Sequence, residues 1–388
     1  MNPPIAKLLF IAAAAGIAPF AAACTSWIVH PSVSASGRML VHKCRDSKTT
    51  PLGAEIRRAG GVKWMRIGWR RNLALFGVNE YGVVAVMNDG EDVTSFHERK
   101  KNGKMMLLGS GWVLRQIMTE CKNAEESLRI LRHYGESGTL AGRGQTMLVA
   151  DPRHAFMVEL GPRYAAVKEL TGGMLVIANS LHLPGIESTS LQTDQLLFSS
   201  RTREANARAE LRKRRVDGKY TVKGSLETSR FRCQEPMTAK YPCRANSLGG
   251  CCFELDPEFP AELTTAYIAL GPQQHTVYLP TPLGLEQFPE EILDGSWADL
   301  AYKLRESEGY DHRFLARFAA FEETLLPEYD RIREKARTLL REGKKSEAVK
   351  LLNDCYRRQY DAALKLMREV AAESEKNPAE SPKIEAET

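Results

Sequence analysis

Ala21-Ala22-Ala23-Cys24-Thr25-Ser26-Trp27 is the stretch on which the reading of this chain turns. Ahead of it, Lys7 is the only charged side chain in residues 1–23, and Leu8 to Phe20 is apolar and rich in alanine. A basic start, a short apolar run and small residues before a cut, here Ala21 and Ala23, are the three parts of a secretory leader. The run is shorter than the about 20 apolar residues that span a bilayer. The expectation is that residues 1–23 are removed and that an exported chain, periplasmic or secreted, opens at Cys24. A rival reading is a lipoprotein site, in which the cysteine is lipidated and its amine blocked. Against it, Ala21 stands where a lipobox usually has Leu.

A cysteine at a new N-terminus carries two reagents on one residue. Its thiol titrates near ~8.5 and its α-amine near ~7.7–8, both close to neutral pH. The amine can take the thiol proton, directly or through water, and later protonate a leaving amine. Downstream, strands expected over 25–29 and 39–42 bracket the turn Ser34-Ala35-Ser36-Gly37, where glycine tolerates the positive φ of a reversal. That hairpin would return Lys43, Arg45 and Asp46 towards Cys24. A nearby cation favours the thiolate. Taken alone, the same residues are surface charges at a strand end.

The body of the chain alternates short strands with helix pairs. Further strands are expected over 63–69, 73–77, 83–87, 146–150, 155–160, 164–169, 174–178, 251–255, 264–270 and 276–279. Helices are expected over 112–120, 124–133 (with Asn123 as its N-cap) and 194–214. Such an order implies an α+β class, stacked antiparallel sheets covered by helices. The end of the chain differs. Helical spacing of Val349, Leu352, Tyr356, Tyr360, Ala363, Leu366 and Val370 closes a series expected over 300–325, 328–340 and 347–372, with Pro327 at a helix start and Gly343 at a stop. The domain expectation is therefore a leader (1–23), a strand-rich body (24–298), a helical extension (299–374) packed on the body or on a second subunit as in a homo-oligomer, and a disordered polar tail (375–388).

Composition narrows the partners. The chain has 388 residues, 43% hydrophobic and 26% charged, with a formal charge of +6 spread over both signs. That is ordinary globular usage with no call for nucleic acid, and no later stretch is a transmembrane candidate. The basic run Arg212-Lys213-Arg214-Arg215 lacks an aromatic platform and reads as a solvated helix end. The eight cysteines show no C-x-x-C pair and no zinc spacing. Cys233 and Cys243 either close a short loop in an oxidising compartment or both stay reduced.

Several motifs, in order, carry a family resemblance. Cys24-Thr25-Ser26-Trp27, the glycine turn and Lys43-Cys44-Arg45-Asp46 resemble the opening of the N-terminal-nucleophile hydrolases. The isopenicillin-N acyltransferase-like branch is the nearer, the choloylglycine hydrolase and penicillin V acylase branch the more distant. Asn79-Glu80-Tyr81-Gly82-Val83 is similar to the family's Asn-Glu-Lys-Gly-Leu turn, Asn88 ends the next strand, and Ile177-Ala178-Asn179-Ser180 resembles the segment of the oxyanion asparagine. Ser199-Ser200-Arg201 falls where the family often has Ser-Arg-Phe, although Arg230 in Ser229-Arg230-Phe231 competes. Cys44 departs from the family's Lys-Asn-Arg-Asp.

The resemblance implies an αββα sandwich and cleavage of a linear amide through an acyl-cysteine, or transfer of that acyl group. It implies no metal or organic cofactor and a small N-acyl amide as substrate. Cys24 would be the nucleophile and Asp46 would hold its amine and thiol in register. Asn179 and Asn88 would donate to the oxyanion, and Arg45, Lys43 and Arg201 would bind substrate. Hydrolysis is the simpler reading for an exported protein, where water is plentiful and acyl-CoA is not. A dipeptidase shares the nucleophile, and a lipid-anchored binding protein would share the fold without catalysis. His182, His275, Gly142-Arg143-Gly144 and Gly249-Gly250-Cys251-Cys252 read as structural.

Overall fold

Strand β2 (Met39–Asp46) is buried along its whole length, which already requires cover on both faces of its sheet. In the computed structural model, residues 24–46, 52–69, 73–90, 110–137, 144–161, 164–185, 194–231, 240–244, 246–308 and 313–376 are described. Met39 and Val41 enter the central core, whereas Leu40 and Cys44 enter a second core on the opposite face. Side chains in a strand alternate between faces. Lys43 and Arg45 therefore share the inner face, and His42 and Asp46 the outer one.

Among the described residues, two antiparallel sheets make the body. The six-stranded sheet runs β10-β1-β2-β11-β12-β13, built from β10 (Met174–Ile177), β1 (Cys24–Val29), β2, β11 (Ser247–Leu255), β12 (Thr265–Leu270) and β13 (Leu279–Pro282). The seven-stranded sheet is a meander, β3 to β9 in chain order: Leu52–Ala59, Val62–Trp69, Leu73–Asn79, Val84–Asp89, Gln145–Ala150, Ala155–Gly161 and Tyr164–Glu169. One core lies between the sheets, with Ile28, Val41 and Phe253 from the first meeting Met65, Phe76 and Leu148 from the second. Outside the second sheet, Trp64, Val149 and Val158 pack on α1 (Ser110–Glu120) and α2 (Ala124–Ser137). Outside the first, Trp27 and Tyr267 pack with residues of α3 (Asp194–Lys213) and α4 (Val222–Arg230). The layers are α, β, β, α, as the resemblance implied.

Two turns set the site. Gly37 takes a φ of 66° in the β1–β2 connection, and the register that results puts Cys24 opposite Arg45 and Ser26 opposite Lys43. Gly82 takes 78° beside Asn79, whose Oδ1 accepts from the Tyr81 and Val83 amides while its Nδ2 donates to Met118 and Cys121 carbonyls. That turn fixes β6 against α1.

After the short helices α5 (Pro260–Leu263) and α6 (Glu290–Asp294), the C-terminal helices are α7 (Ser296–Glu308), α8 (Leu315–Arg341) and α9 (Lys345–Lys376). Trp297, Phe318, Tyr356 and Met367 belong to the same core as the inner faces of the sheets. The boundary expected between residues 298 and 299 falls inside α7. Pro327 lies within α8, which corrects the expected helix start: buried Phe318 and Leu325 before it and Tyr329 and Ile332 after it anchor one helix through the proline, despite the backbone bond that proline forgoes. Strand β3 and helix α4 were not read from the sequence. β3 is only half-buried along much of its length, and α4 has little apolar periodicity, although Thr221 caps it by accepting from the Gly224 amide. Glu375 and Lys376, expected to open the tail, instead end α9; residues 377–388 and Cys233 lie outside the described residues. Among the described residues no helix is long and apolar enough to cross a membrane.

Candidate active site

Cys24 begins β1 at the end of the first sheet and is fully buried. Its main-chain nitrogen donates to Asn179 Oδ1 at 2.8 Å. Its sulfur accepts from Arg45 Nη1 at 3.2 Å, with the Lys43 ammonium as a second neighbouring charge. Its carbonyl accepts from Arg203 Nη1 at 2.6 Å. Every polar atom of the residue is thus held by a named group.

The two cations reach the sulfur because β2 presents residues 43 and 45 on the inner face directly across from β1. Lys43 Nζ also donates to the Met87 carbonyl and to Asn88 Oδ1, each at 2.5 Å. Arg45 Nη1 lies 3.4 Å from Asp89 Oδ2. Burial would push the Cys24 thiol up, but Lys43 and Arg45 outweigh it and hold the thiol below its ordinary range. Burial lowers the Lys43 ammonium in turn, with the Cys24 sulfur opposing. Cations beside a thiol favour its thiolate form.

Asn88 and Asn179 cross-link the ends of the two sheets. Asn88 Nδ2 donates to the Ala178 carbonyl at 2.7 Å, and Asn179 Nδ2 donates to the Asp89 carbonyl at 2.5 Å. Their amide orientations follow from their partners. Asn88 Oδ1 faces Lys43 and Ser26 Oγ, and Asn179 Oδ1 faces the Cys24 N–H and Arg203 Nη2 at 2.8 Å. Ammonium, guanidinium and N–H groups only donate, so each amide must turn its oxygen towards them. Both NH2 groups accordingly point at main-chain carbonyls. The carbonyl oxygens, and not the amide nitrogens assigned to an oxyanion from sequence, face the Cys24 cluster.

Asp46 sits elsewhere. It is on the outer face of β2, where Oδ1 accepts from Ser247 Oγ at 2.6 Å and Oδ2 lies 3.9 Å from Arg244. Burial raises its carboxyl, with Arg244 opposing. An odd sequence offset from Arg45 puts Asp46 on the other side of the strand, and the group holding the Cys24 nitrogen is Asn179. Arg201 is exposed. Arg230 is buried in a bidentate pair with Glu322, 2.6 Å for each contact. The second arginine at Cys24, beside Arg45, is Arg203, two positions beyond the Arg201 read from sequence, its pKa lowered to about 10 chiefly by burial. A signal for it existed. Arg203, Ala207 and Leu211 are buried at four-residue spacing on α3, so one arginine occupies the inward stripe of a polar helix.

A cavity of about 580 Å³ lies on the outer side of the first sheet, lined by Thr221, Glu254, Tyr267, Glu322, Pro327 and Arg333 among others. No lining residue is a hydrogen-bond partner of Cys24. Its buried carboxylates are spent on Arg333 and Arg230.

No family model matches the chain, and no curated protein matches it. Solved structures do. The N-acylethanolamine-hydrolyzing acid amidase ortholog of Caenorhabditis elegans matches with a TM-score of 0.43 and 12% identity, over 61% of this chain and 95% of that one. A mutant of conjugated bile acid hydrolase from Clostridium perfringens matches at 0.43 and 10%, over 64% and 89%. Penicillin V acylase from Agrobacterium tumefaciens matches at 0.37 and 11%, over 67% and 86%. The penicillin V acylase branch named from the sequence motifs is thus also among the structural matches. At TM-scores below 0.5 these likenesses carry no argument about chemistry, and the functional reading rests on the site.

Proposed function

We propose that this chain is an exported N-terminal-nucleophile amidohydrolase that cleaves a linear C–N amide bond of a small N-acyl substrate through an acyl-cysteine. The observation that carries the reading is the double hold on one residue: the Cys24 nitrogen on Asn179 Oδ1 and the Cys24 sulfur on Arg45. Export and removal of residues 1–23 belong to the proposal, because only then does that nitrogen become an amine. The Cys24 thiolate adds to the amide carbonyl carbon, forming the C–S bond and moving the carbonyl electron pair onto oxygen. Collapse breaks the C–N bond, and the departing nitrogen takes a proton from the Cys24 α-ammonium. Water then attacks the thioester and gives a proton to the α-amine, releasing the carboxylic acid and restoring the thiolate. Arg45, already on the sulfur, is placed to donate to the oxyanion, and losing such a donor costs about 3–4 kcal/mol. Asn179 orients the amine, Asn88 orients Lys43, and Arg203 secures the Cys24 carbonyl.

The test is a panel of chromogenic N-acyl amides, spanning fatty acyl, bile acyl and phenoxyacetyl groups, assayed with the mature protein and with Cys24→Ser, alongside mass spectrometry of the mature N-terminus. Turnover confined to the unsubstituted protein with a free Cys24 amine supports the reading. A diacylglyceryl or otherwise capped cysteine, or undiminished turnover in the serine variant, removes it.

A further inference from the structure

The residue holding the Cys24 nitrogen stands on a segment without strand or helix structure. Strand β10 ends at Ile177, and the chain from Ala178 to Leu183 runs on as irregular backbone. Two carboxylates hold it. Glu204 Oε1 accepts from the Ala178 amide at 2.8 Å, from Ser180 Oγ at 2.9 Å and lies 2.9 Å from His182 Nε2. Glu159 accepts from the His182 amide through Oε1 and from the Leu183 amide through Oε2, both at 2.7 Å. Glu204 is 5% exposed and Glu159 fully buried. Buried carboxylates that accept main-chain N–H groups make charge-assisted hydrogen bonds, stronger than neutral ones. The two come from opposite sides. Glu159 lies on β8 of the second sheet, and Glu204 lies on α3 directly after Arg203, which itself donates to Asn179 Oδ1 and to the Cys24 carbonyl. One turn of α3 therefore grips both the nucleophile and the segment that carries its partner.

We propose that Glu204 and Glu159 are positioning residues that set Asn179 against Cys24, and that His182 makes their hold responsive to pH. The inference rests on the amide-cleaving reading. His182 is the titratable member. It faces Glu204 from α3 and Glu159 from β8, with Arg201 opposing. The hydrogen bond to Glu204, against the pull of burial, holds its imidazole above the ordinary 6.5. Protonated, Nε2–H gives Glu204 an ion pair as well as a hydrogen bond. Neutral, it gives at most the hydrogen bond. The hold is complete below the ordinary histidine range and slackens as pH rises through the raised native value.

The experiment uses the mature full chain and two readouts. Hydrogen exchange of the 178–183 segment reports the Ala178, His182 and Leu183 amides directly, and kcat and KM across pH report the consequence. Glu204→Gln is expected to speed exchange of the segment about tenfold and to lower kcat roughly 10- to 100-fold with little change in KM, the scale expected when a reacting group is displaced by about 1 Å. His182→Gln, whose amide donates without titrating, is expected to flatten the alkaline fall of kcat and of protection. Should Glu204→Gln fail to fold, Glu159→Gln carries the same two readouts. Exchange unchanged in the glutamine variants, or faster exchange with kcat intact, overturns the positioning role. An unchanged pH profile in His182→Gln overturns the histidine's part. Absence of amide turnover by the unsubstituted protein overturns the enzymatic reading instead, and the exchange data then show whether the carboxylates hold the segment at all.

Discussion

Two clusters of buried charge sit at opposite parts of the first sheet, and they are balanced differently. Near the C-terminal helices, Arg38, Arg333 and Arg337 face Glu254, Asp256, Glu258, Asp330 and Glu334. Arg337 Nη2 lies 2.5 Å from Asp256, Arg333 Nη2 lies 2.9 Å from Asp330 and contacts Glu254 through Nη1, and Arg38 lies within 3.5 Å of Glu254, Asp256 and Glu334. Burial would raise the Glu254 and Asp256 carboxyls, but the arginines hold both down. At Cys24 the acid among the cations is a thiol. Arg45 and Arg203 hold its sulfur and carbonyl with Lys43 beside them, Asp89 meets Arg45 at 3.4 Å, and Asp46 accepts from Ser247 with Arg244 and Arg203 nearby. Lys43 and Arg45 oppose the burial of the thiol and hold it low. Carboxylates on arginines fasten α8 to β11; cations on a thiol make a sulfur acidic.

The largest effect tests the thiol cluster. Cys24→Ser keeps the size and hydrogen bonding of the residue but not the thiolate, and is expected to lower amide turnover by at least about a thousandfold, some 4 kcal/mol, with the thermal midpoint unchanged. A comparable loss of thermal stability would mean that the cysteine matters chiefly for packing.

The matched cluster should respond in the opposite sense. Arg333→Met leaves buried Glu254 without its main partner, and breaking a buried pair in this way costs about 3–5 kcal/mol. Denaturant unfolding is expected to show that loss while turnover per folded molecule holds. Reduced turnover with intact stability would make the two clusters one functional unit.

Between these lies the thiol itself. Lys43→Met removes one of the two cations that hold the Cys24 thiol down. Alkylation of Cys24 by iodoacetamide, followed by peptide mass spectrometry across pH, is expected to shift to higher pH and to slow near neutrality, where less of the thiol would be ionised. An unshifted profile would assign the acidity of the sulfur to Arg45 alone.

The smallest expected effect is on acid stability. Glu254 and Asp256 have native pKa values below their ordinary ones. Their contribution is present above the unfolded values near ~4 and disappears as pH falls through the depressed native values. Unfolding free energy should therefore drop below about pH 4, and Arg337→Met should flatten that drop through Asp256. An equal slope in the variant would place the acid-sensitive groups elsewhere, with Asp46 excluded as a source because its shift is upward.

Much of the fold was legible because strands that need cover on both faces read as apolar runs between glycine and asparagine turns. The Cys24 hairpin, both N-terminal helices and the long helix from Asp194 were placed within a few residues of their observed ends. The site was less legible. Lys43, Arg45, Asn88 and Asn179 do gather around Cys24, but the amides turn their oxygens towards the cations and amide hydrogen, and that follows only from who stands next to them. Arg203 escaped because a family-like position pointed to Arg201, whereas the inward stripe of α3 is set by Ala207 and Leu211. Asp46 could have been placed from alternation alone, one residue beyond an inward-facing arginine.

By itself the amino-acid order determined a cysteine after a leader-like segment, a hairpin carrying two cations back across from it, and a rhythm of strands that must be sandwiched. Local periodicity and turn chemistry suffice for those, since each depends on residues close along the chain. The tertiary structure alone decided that Asn179 and Arg203, 155 and 179 residues away, hold the cysteine's nitrogen and carbonyl, and that Lys43 and Arg45 outweigh burial at its thiol. Hydrogen-bond direction and charge balance are properties of groups brought together from distant parts of the chain, and no spacing in the sequence encodes them.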